Sequence, residues 1–130
     1  MSKKVALVGH CGPDGSYLRM TVNKALDHQA IIHVADDDRE LSQMIGDGVD
    51  LILFNRELGY GFSENEGVRV IEQLRKTHPH LKMMLVTNYP EVQAAAIAAG
   101  ALPGFGKREL GTQRVLDLIR DAFKEEPAKT

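Results

Sequence analysis

The chain has 130 residues, 43% of them hydrophobic and 26% charged, which is ordinary for one globular domain with a core of its own. A net charge of −2 gives no global field that would draw it to nucleic acid or to a membrane surface. Its one cysteine, Cys11, leaves no internal disulfide, which fits a reducing cytoplasm, and the first apolar run is too short for a signal-peptide core or a membrane span.

Short aliphatic runs alternate with amphipathic stretches along the whole chain. The first run, 5–8, reads as a strand; after Pro13-Asp14, the helical spacing of Tyr17, Leu18, Val22, Ala25 and Leu26 predicts a helix. A second strand is expected at 31–35, then a short helix carrying Leu41, Met44 and Ile45 that ends near Gly46. The run 51–54 predicts the third strand, and Val68, Ile71 and Leu74 predict a third helix that Pro79 helps to stop. Strand four falls at 83–86, followed by an alanine-rich helix from Val92 to Ala99 closed by Gly100. A weaker fifth strand is expected at 102–105, and Thr112 is the expected N-cap of a last helix bearing Val115, Leu116, Ile119 and Phe123. The first four runs are continuous, which suits strands buried on both faces of a parallel sheet.

Strand and helix thus repeat five times, an α/β chain of (βα)5 type that right-handed crossovers wind into a three-layer sandwich. One domain is expected over 1–124, with a polar tail at 125–130. In such folds the chemistry lies at the carboxyl ends of the strands. Those ends carry Gly9-His10-Cys11-Gly12, Asp36-Asp37-Asp38, Asn55-Arg56-Glu57, Thr87-Asn88 and Lys107.

The layout from Lys4 to Lys124 resembles the receiver domain of bacterial response regulators. The likeness rests on Gly100-Ala101-Leu102-Pro103-Gly104-Phe105-Gly106-Lys107, on Leu85-Val86-Thr87, on Asp50-Leu51-Ile52-Leu53-Phe54-Asn55 and on Gly67-Val68-Arg69-Val70-Ile71, in this order and spacing. It implies a flavodoxin-like fold with a five-stranded parallel sheet in the order 2-1-3-4-5, in a cytoplasmic protein of two-component, phosphorelay-type signalling. It also implies a phosphoryl acceptor aspartate, two acidic residues after strand one that help hold magnesium, a lysine and a hydroxyl on the phosphoryl oxygens, and an aromatic switch on strand five.

Transferred position by position, the resemblance places the hydroxyl at Thr87, the lysine at Lys107 and the switch aromatic at Phe105. The acceptor position holds Asn55, and the acidic pair is replaced by Gly9 and His10. Magnesium prefers carboxylate oxygens, and an amide is a poor nucleophile, so neither magnesium binding nor aspartyl phosphorylation is expected. Arg108 stands where the family carries proline after its lysine, Asn88 stands where a small residue follows the hydroxyl, and the loop 55–67 is long and carries Gly59-Tyr60-Gly61-Phe62. A degenerate receiver that is not an enzyme and works through protein contacts is the reading this supports.

Lys107 has lost its usual carboxylates and is expected to pair with Asp14, Asp36 or Asp37. The alternative is an external anion held by Lys107, Thr87 and the amides that open the first helix, which would make the domain a small-ligand sensor. His10 is expected to fill the vacated pocket; a metal site of His10, Cys11 and an aspartate from 36–38 would need ligands that adjacent extended residues point apart. Asp37 or Asp38 is expected to cap the second helix, and His78-Pro79-His80 to form a turn. An enzyme of related fold would want a phosphate cradle or a catalytic constellation, and neither is evident. The partner, or a second copy, is expected on the face formed by the fourth helix, fifth strand and fifth helix, where Ala94, Ala95, Ala96, Ala98 and Ala99 allow close approach; Tyr60 and Phe62 offer a second contact.

Overall fold

Four of the five apolar runs become strands and the amphipathic stretches become helices, in the order the pattern predicts. The computed structural model describes residues 3–124. Its elements are β1 (Lys3–Val8), α1 (Gly12–Ala25), β2 (Ala30–Ala35), α2 (Asp38–Gly46), β3 (Leu51–Asn55), α3 (Gly67–Thr77), β4 (Lys82–Val86), α4 (Pro90–Ala98) and α5 (Gln113–Ala122), with a 3-10 turn at Lys107–Glu109. The expected tail at 125–130 lies outside the described residues. None of the helices described is long and apolar enough to cross a membrane.

All strand pairs are parallel, in the order β2-β1-β3-β4. Successive side chains of a strand point to opposite faces, so each central strand feeds two cores. Val5, Leu7, Leu51, Leu53, Met84 and Val86 pack under α1 and α5 with Leu18, Val22, Val115 and Ile119. Ala6, Val8, Ile52, Phe54, Met83 and Leu85 pack under the other three helices with Leu41, Ile71 and Ala96. Most of these side chains are fully buried; each large one contributes roughly 1.5–3 kcal/mol by leaving water.

The helix ends follow their local chemistry. Asp37 caps α2, its carboxylate accepting from the Glu40 amide at 2.7 Å; the Glu40 carboxylate accepts from the Asp36 amide at 3.1 Å, so the two side chains brace this end reciprocally. Thr112 stands at the N-cap of α5 without a side-chain cap bond. The His78–His80 turn is gathered by Arg75, whose guanidinium donates to the carbonyls of His78, Pro79, Leu81 and Gly100.

Two expectations need correction. The sheet has four strands, and the segment expected to be the fifth meets β4 through one isolated bridge between Val86 and Phe105. The Leu102 amide donates to the Met83 carbonyl at 2.8 Å, and the Thr87 amide donates to the Phe105 carbonyl at 2.9 Å. A parallel register continued from Leu102 would bring the Thr87 amide to Gly104, so the segment runs one residue long. In that register the Gly104 amide would bond the Leu85 carbonyl, which accepts from the Gln93 side chain instead, at 2.8 Å. The second correction concerns β2, which is not buried on both faces: Ile31 is 41% exposed and Val34 36%. It is an edge strand, and the short α2 leaves its outer half uncovered.

The candidate site at the strand ends

The tight connection after β1 decides what can stand there. Gly9 has φ +78°, and a Cβ added to it would lie 2.7 Å from the Leu58 Cα and 2.8 Å from its Cδ2. No side chain of any kind fits at position 9 while Leu58 is in place. Leu58 belongs to the long β3–α3 loop and is buried, as is Phe62.

That loop is a closed structure. An antiparallel bridge joins Glu57 to Glu66; the Leu58 amide donates to the Asn65 carbonyl at 2.8 Å, and the Gly59 amide donates to the Asn65 side chain at 2.9 Å. It is also tied to the start of α2. The Asp38 amide donates to the Gly61 carbonyl at 3.1 Å, and the Ser63 amide donates to the Asp38 carboxylate at 2.9 Å. Gly61 approaches the Asp36 carbonyl so closely that a Cβ would sit 2.0 Å from it, which is why glycine stands there. Tyr60, between the two glycines, projects wholly into solvent.

His10 is buried against this loop. Its Nε2 lies 2.9 Å from the Leu53 carbonyl oxygen; a carbonyl only accepts, so Nε2 carries the proton and Nδ1 is left as an acceptor with no partner in the protein. Burial holds the imidazole below its ordinary pKa, an effect the bond to Leu53 opposes and the nearby Lys107 charge reinforces. The Asn55 side chain is turned aside, its amide donating to the Glu57 carbonyl at 2.9 Å. Thr87 is buried, and its hydroxyl accepts from the Tyr89 amide at 3.3 Å, bracing the turn into α4. Phe105 is buried in the α1/α5 core.

Lys107 and Asp14 form an ion pair at 2.7 Å, both about one-third exposed. Asp14 was among the expected partners; Asp36 and Asp37 serve α2 and its loop instead. The Lys107 ammonium, and after it a bond from the Cys11 thiol, holds the Asp14 carboxyl below its usual range. Cys11, at the N-cap of α1, is exposed. His10, Cys11 and Asp36 line one cavity of about 720 Å³ with Asn55 and Leu58, yet no three His, Cys, Asp or Glu side chains among the described residues gather closely enough to hold a metal ion. The magnesium that the fold implies does not fit the residues present: position 9 is closed, position 10 is a buried neutral imidazole and position 55 is an amide engaged elsewhere.

Three side chains shape the site in ways the sequence reading did not anticipate. Leu58 closes position 9. Asn88, expected only as an obstruction, accepts from the Arg108 amide at 3.0 Å and fixes the turn that presents Lys107. Gln93 reaches from α4 and donates from Nε2 to the carbonyls of Leu85 at 2.8 Å, Phe105 at 3.2 Å and Thr87 at 3.3 Å. It replaces the strand bonds the fifth segment fails to make. The one visible sign was that Gln93 is the lone polar residue between Val92 and Ala99; no signal marks Leu58 as the residue that turns onto Gly9.

No protein-family model and no curated protein matches the sequence. Solved structures do match. The chain superposes on a response-regulator candidate from Chloroflexus aurantiacus J-10-fl with TM-score 0.77 at 14% identity, covering 94% of this chain and 98% of that one. With the receiver domain of NtrX from Brucella abortus the TM-score is 0.71 at 20% identity, covering 95% and 100%. With the N-terminal signal receiver domain of a two-component system response regulator from Bacteroides fragilis it is 0.72 at 17% identity, covering 97% and 100%. Fold and connectivity together are those of a response-regulator receiver domain. Within that fold, this chain has four paired strands and a strand-end site closed by its own loop.

Proposed function

We propose that this protein is a degenerate receiver domain of two-component signalling, which acts by binding another protein and neither holds magnesium nor accepts a phosphoryl group. The observation that carries this reading is the contact of Leu58 with Gly9, because it closes the place where a metal-binding carboxylate would stand. Asn55 at the acceptor position and the neutral His10 support it independently. So does the pairing of Lys107 with Asp14, which gives the lysine a counter-charge without a ligand. The same pairing weakens the anion-sensing reading, since a bound phosphate would have to displace Asp14 or share the lysine with it. Support for protein contact comes from α4, which is apolar on its outer side as well as its inner: Ala94, Ala95, Ile97 and Ala98 are exposed while Ala96 is buried.

The test is titration of the isotope-labelled domain with magnesium and beryllofluoride, followed by amide NMR. The expected result is no saturable shift at Asn55, Thr87 or Lys107. Saturable shifts there that require both components would sink the proposal, and shifts with phosphate or sulfate alone would favour the anion reading.

A further inference from the structure

The cavity of about 720 Å³ beside the β3–α3 loop has a chemical bias that the closure of position 9 does not use. Two carboxylates line it, Asp36 and Glu57, and no lysine or arginine does. Glu57 is partly answered by Arg56 at 3.3 Å. Among the described residues the Asp36 carboxylate has no ion-pair partner. The neutral groups lean the same way. His10 is 9% exposed, its Nε2 proton is engaged by the Leu53 carbonyl, and its buried Nδ1 lone pair meets nothing in the protein. Asn55 gives its amide nitrogen to the Glu57 carbonyl, which leaves its Oδ1 to accept. Buried acceptors of native proteins are rarely left unpaired, so Nδ1 is a place held for a donor. The loop adds an apolar wall in Leu58 and Phe62, with Tyr60 wholly exposed beside it.

We infer that this cavity binds a guanidinium group carried on an alkyl chain. A water molecule satisfies one acceptor and leaves Asp36 without a counter-charge. A metal ion would need three converging ligands, which the described residues do not gather. An ammonium is a compact and strongly hydrated charge, whereas the acceptors here stand at the ends of three different strands, β1, β2 and β3. A guanidinium spreads its donors over a plane, sheds water more readily and stacks on an aromatic ring such as Tyr60. The volume lies within the range of roughly 300–1,000 Å³ that organic ligands occupy. Nearby groups that favour anions are already answered, because Lys107 pairs with Asp14 and Asp37 caps α2. The same chemistry belongs to a free alkylguanidine and to an arginine side chain of another protein. The inference rests neither on the loss of phosphorylation nor on the α4 surface.

NMR titration of the labelled protein with the chloride salts of ethylguanidinium and ethylammonium, and with neutral N-ethylurea at matched ionic strength, tests it. Ethylguanidinium should give saturable shifts at His10, Asp36 and Asn55 in about the millimolar range, as expected for so small a ligand. Ethylammonium should bind several-fold more weakly, and N-ethylurea should not bind. Asp36→Asn changes an exposed side chain, so the fold should persist while binding weakens roughly two- to fivefold, the scale of one exposed ion pair. Asp121→Asn, beside the separate cavity lined by Lys82 and Arg75, should change nothing. A comparison of N-acetyl-arginine amide with the peptide Gly-Gly-Arg-Gly-Gly then separates the sources: tighter binding of the peptide assigns the group to a protein, equal binding to a free ligand, and both support the site. No saturable shift at those three residues, an equal response to ethylammonium or N-ethylurea, or native affinity in Asp36→Asn would each overturn the inference.

Discussion

At Gly9 the backbone angle and the contact with Leu58 act in the same direction. A residue with a Cβ is strained at φ +78°, and here the Cβ also has backbone 2.7 Å away. Gly9→Ala should destabilise the protein by about 2–4 kcal/mol, the sum of a left-handed non-glycine residue and a crowded contact. Gly15 is the natural control: it lies within α1 with open space where its Cβ would be. Gly15→Ala should stabilise by about 0.5–1 kcal/mol, because alanine loses less backbone freedom on forming a helix. Urea denaturation of both variants reads the contrast directly. Equal and small effects would show that Leu58 yields to a new side chain, and the closure of position 9 would then be no barrier to a carboxylate.

Among the elements, the junction of β4 with the segment 102–105 depends most on one side chain. Gln93 supplies donors to three carbonyls there, and its own Oε1 is buried with no partner in the protein. An unpaired buried carbonyl costs about 1–3 kcal/mol, and the Phe105 carbonyl keeps its bond from Thr87 when Gln93 is lost. Gln93→Ala should therefore destabilise by roughly 1–3 kcal/mol, with amide shifts at Leu85, Thr87 and Phe105 and little change in β1 or β2. A variant as stable as the native protein would mean that water replaces the side chain. This junction also marks how far the sequence could be read. Strands β1, β3 and β4 and the helices were legible because hydrophobic period is a local signal and burial reinforces it. The fifth strand was not, because its loss depends on one extra residue in the register of 102–105 and on a glutamine from another helix, which no period records. Exposure of β2 was missed for a related reason: an apolar run states what a strand could bury, and the neighbour that would cover it is chosen elsewhere. At the site, the identities of Asn55, Thr87 and Lys107 were readable from order and spacing. The pairing of Lys107 was narrowed to three aspartates, and only the packing of α1 against the 107–109 turn selects Asp14.

Taken as a whole, the molecule has a centre packed on both faces and two margins held from one side only. β1, β3 and β4 each contribute fully buried residues to both cores, and no local motion frees one face without opening the other. At one margin, β2 is paired on one side only; at the other, two backbone bonds and Gln93 hold the segment 102–105. Native-state hydrogen exchange should resolve this order. Amides of Leu7 and Leu53 should exchange only with global unfolding, while the Thr87 and Leu102 amides should open at lower free energy. The outward-facing amides of Ile32 and Val34 should exchange fastest in the sheet, because they face solvent and need no opening event. Fast exchange at Leu7 would contradict the two-faced core itself, because its amide is bonded within the sheet and its side chain lies entirely inside.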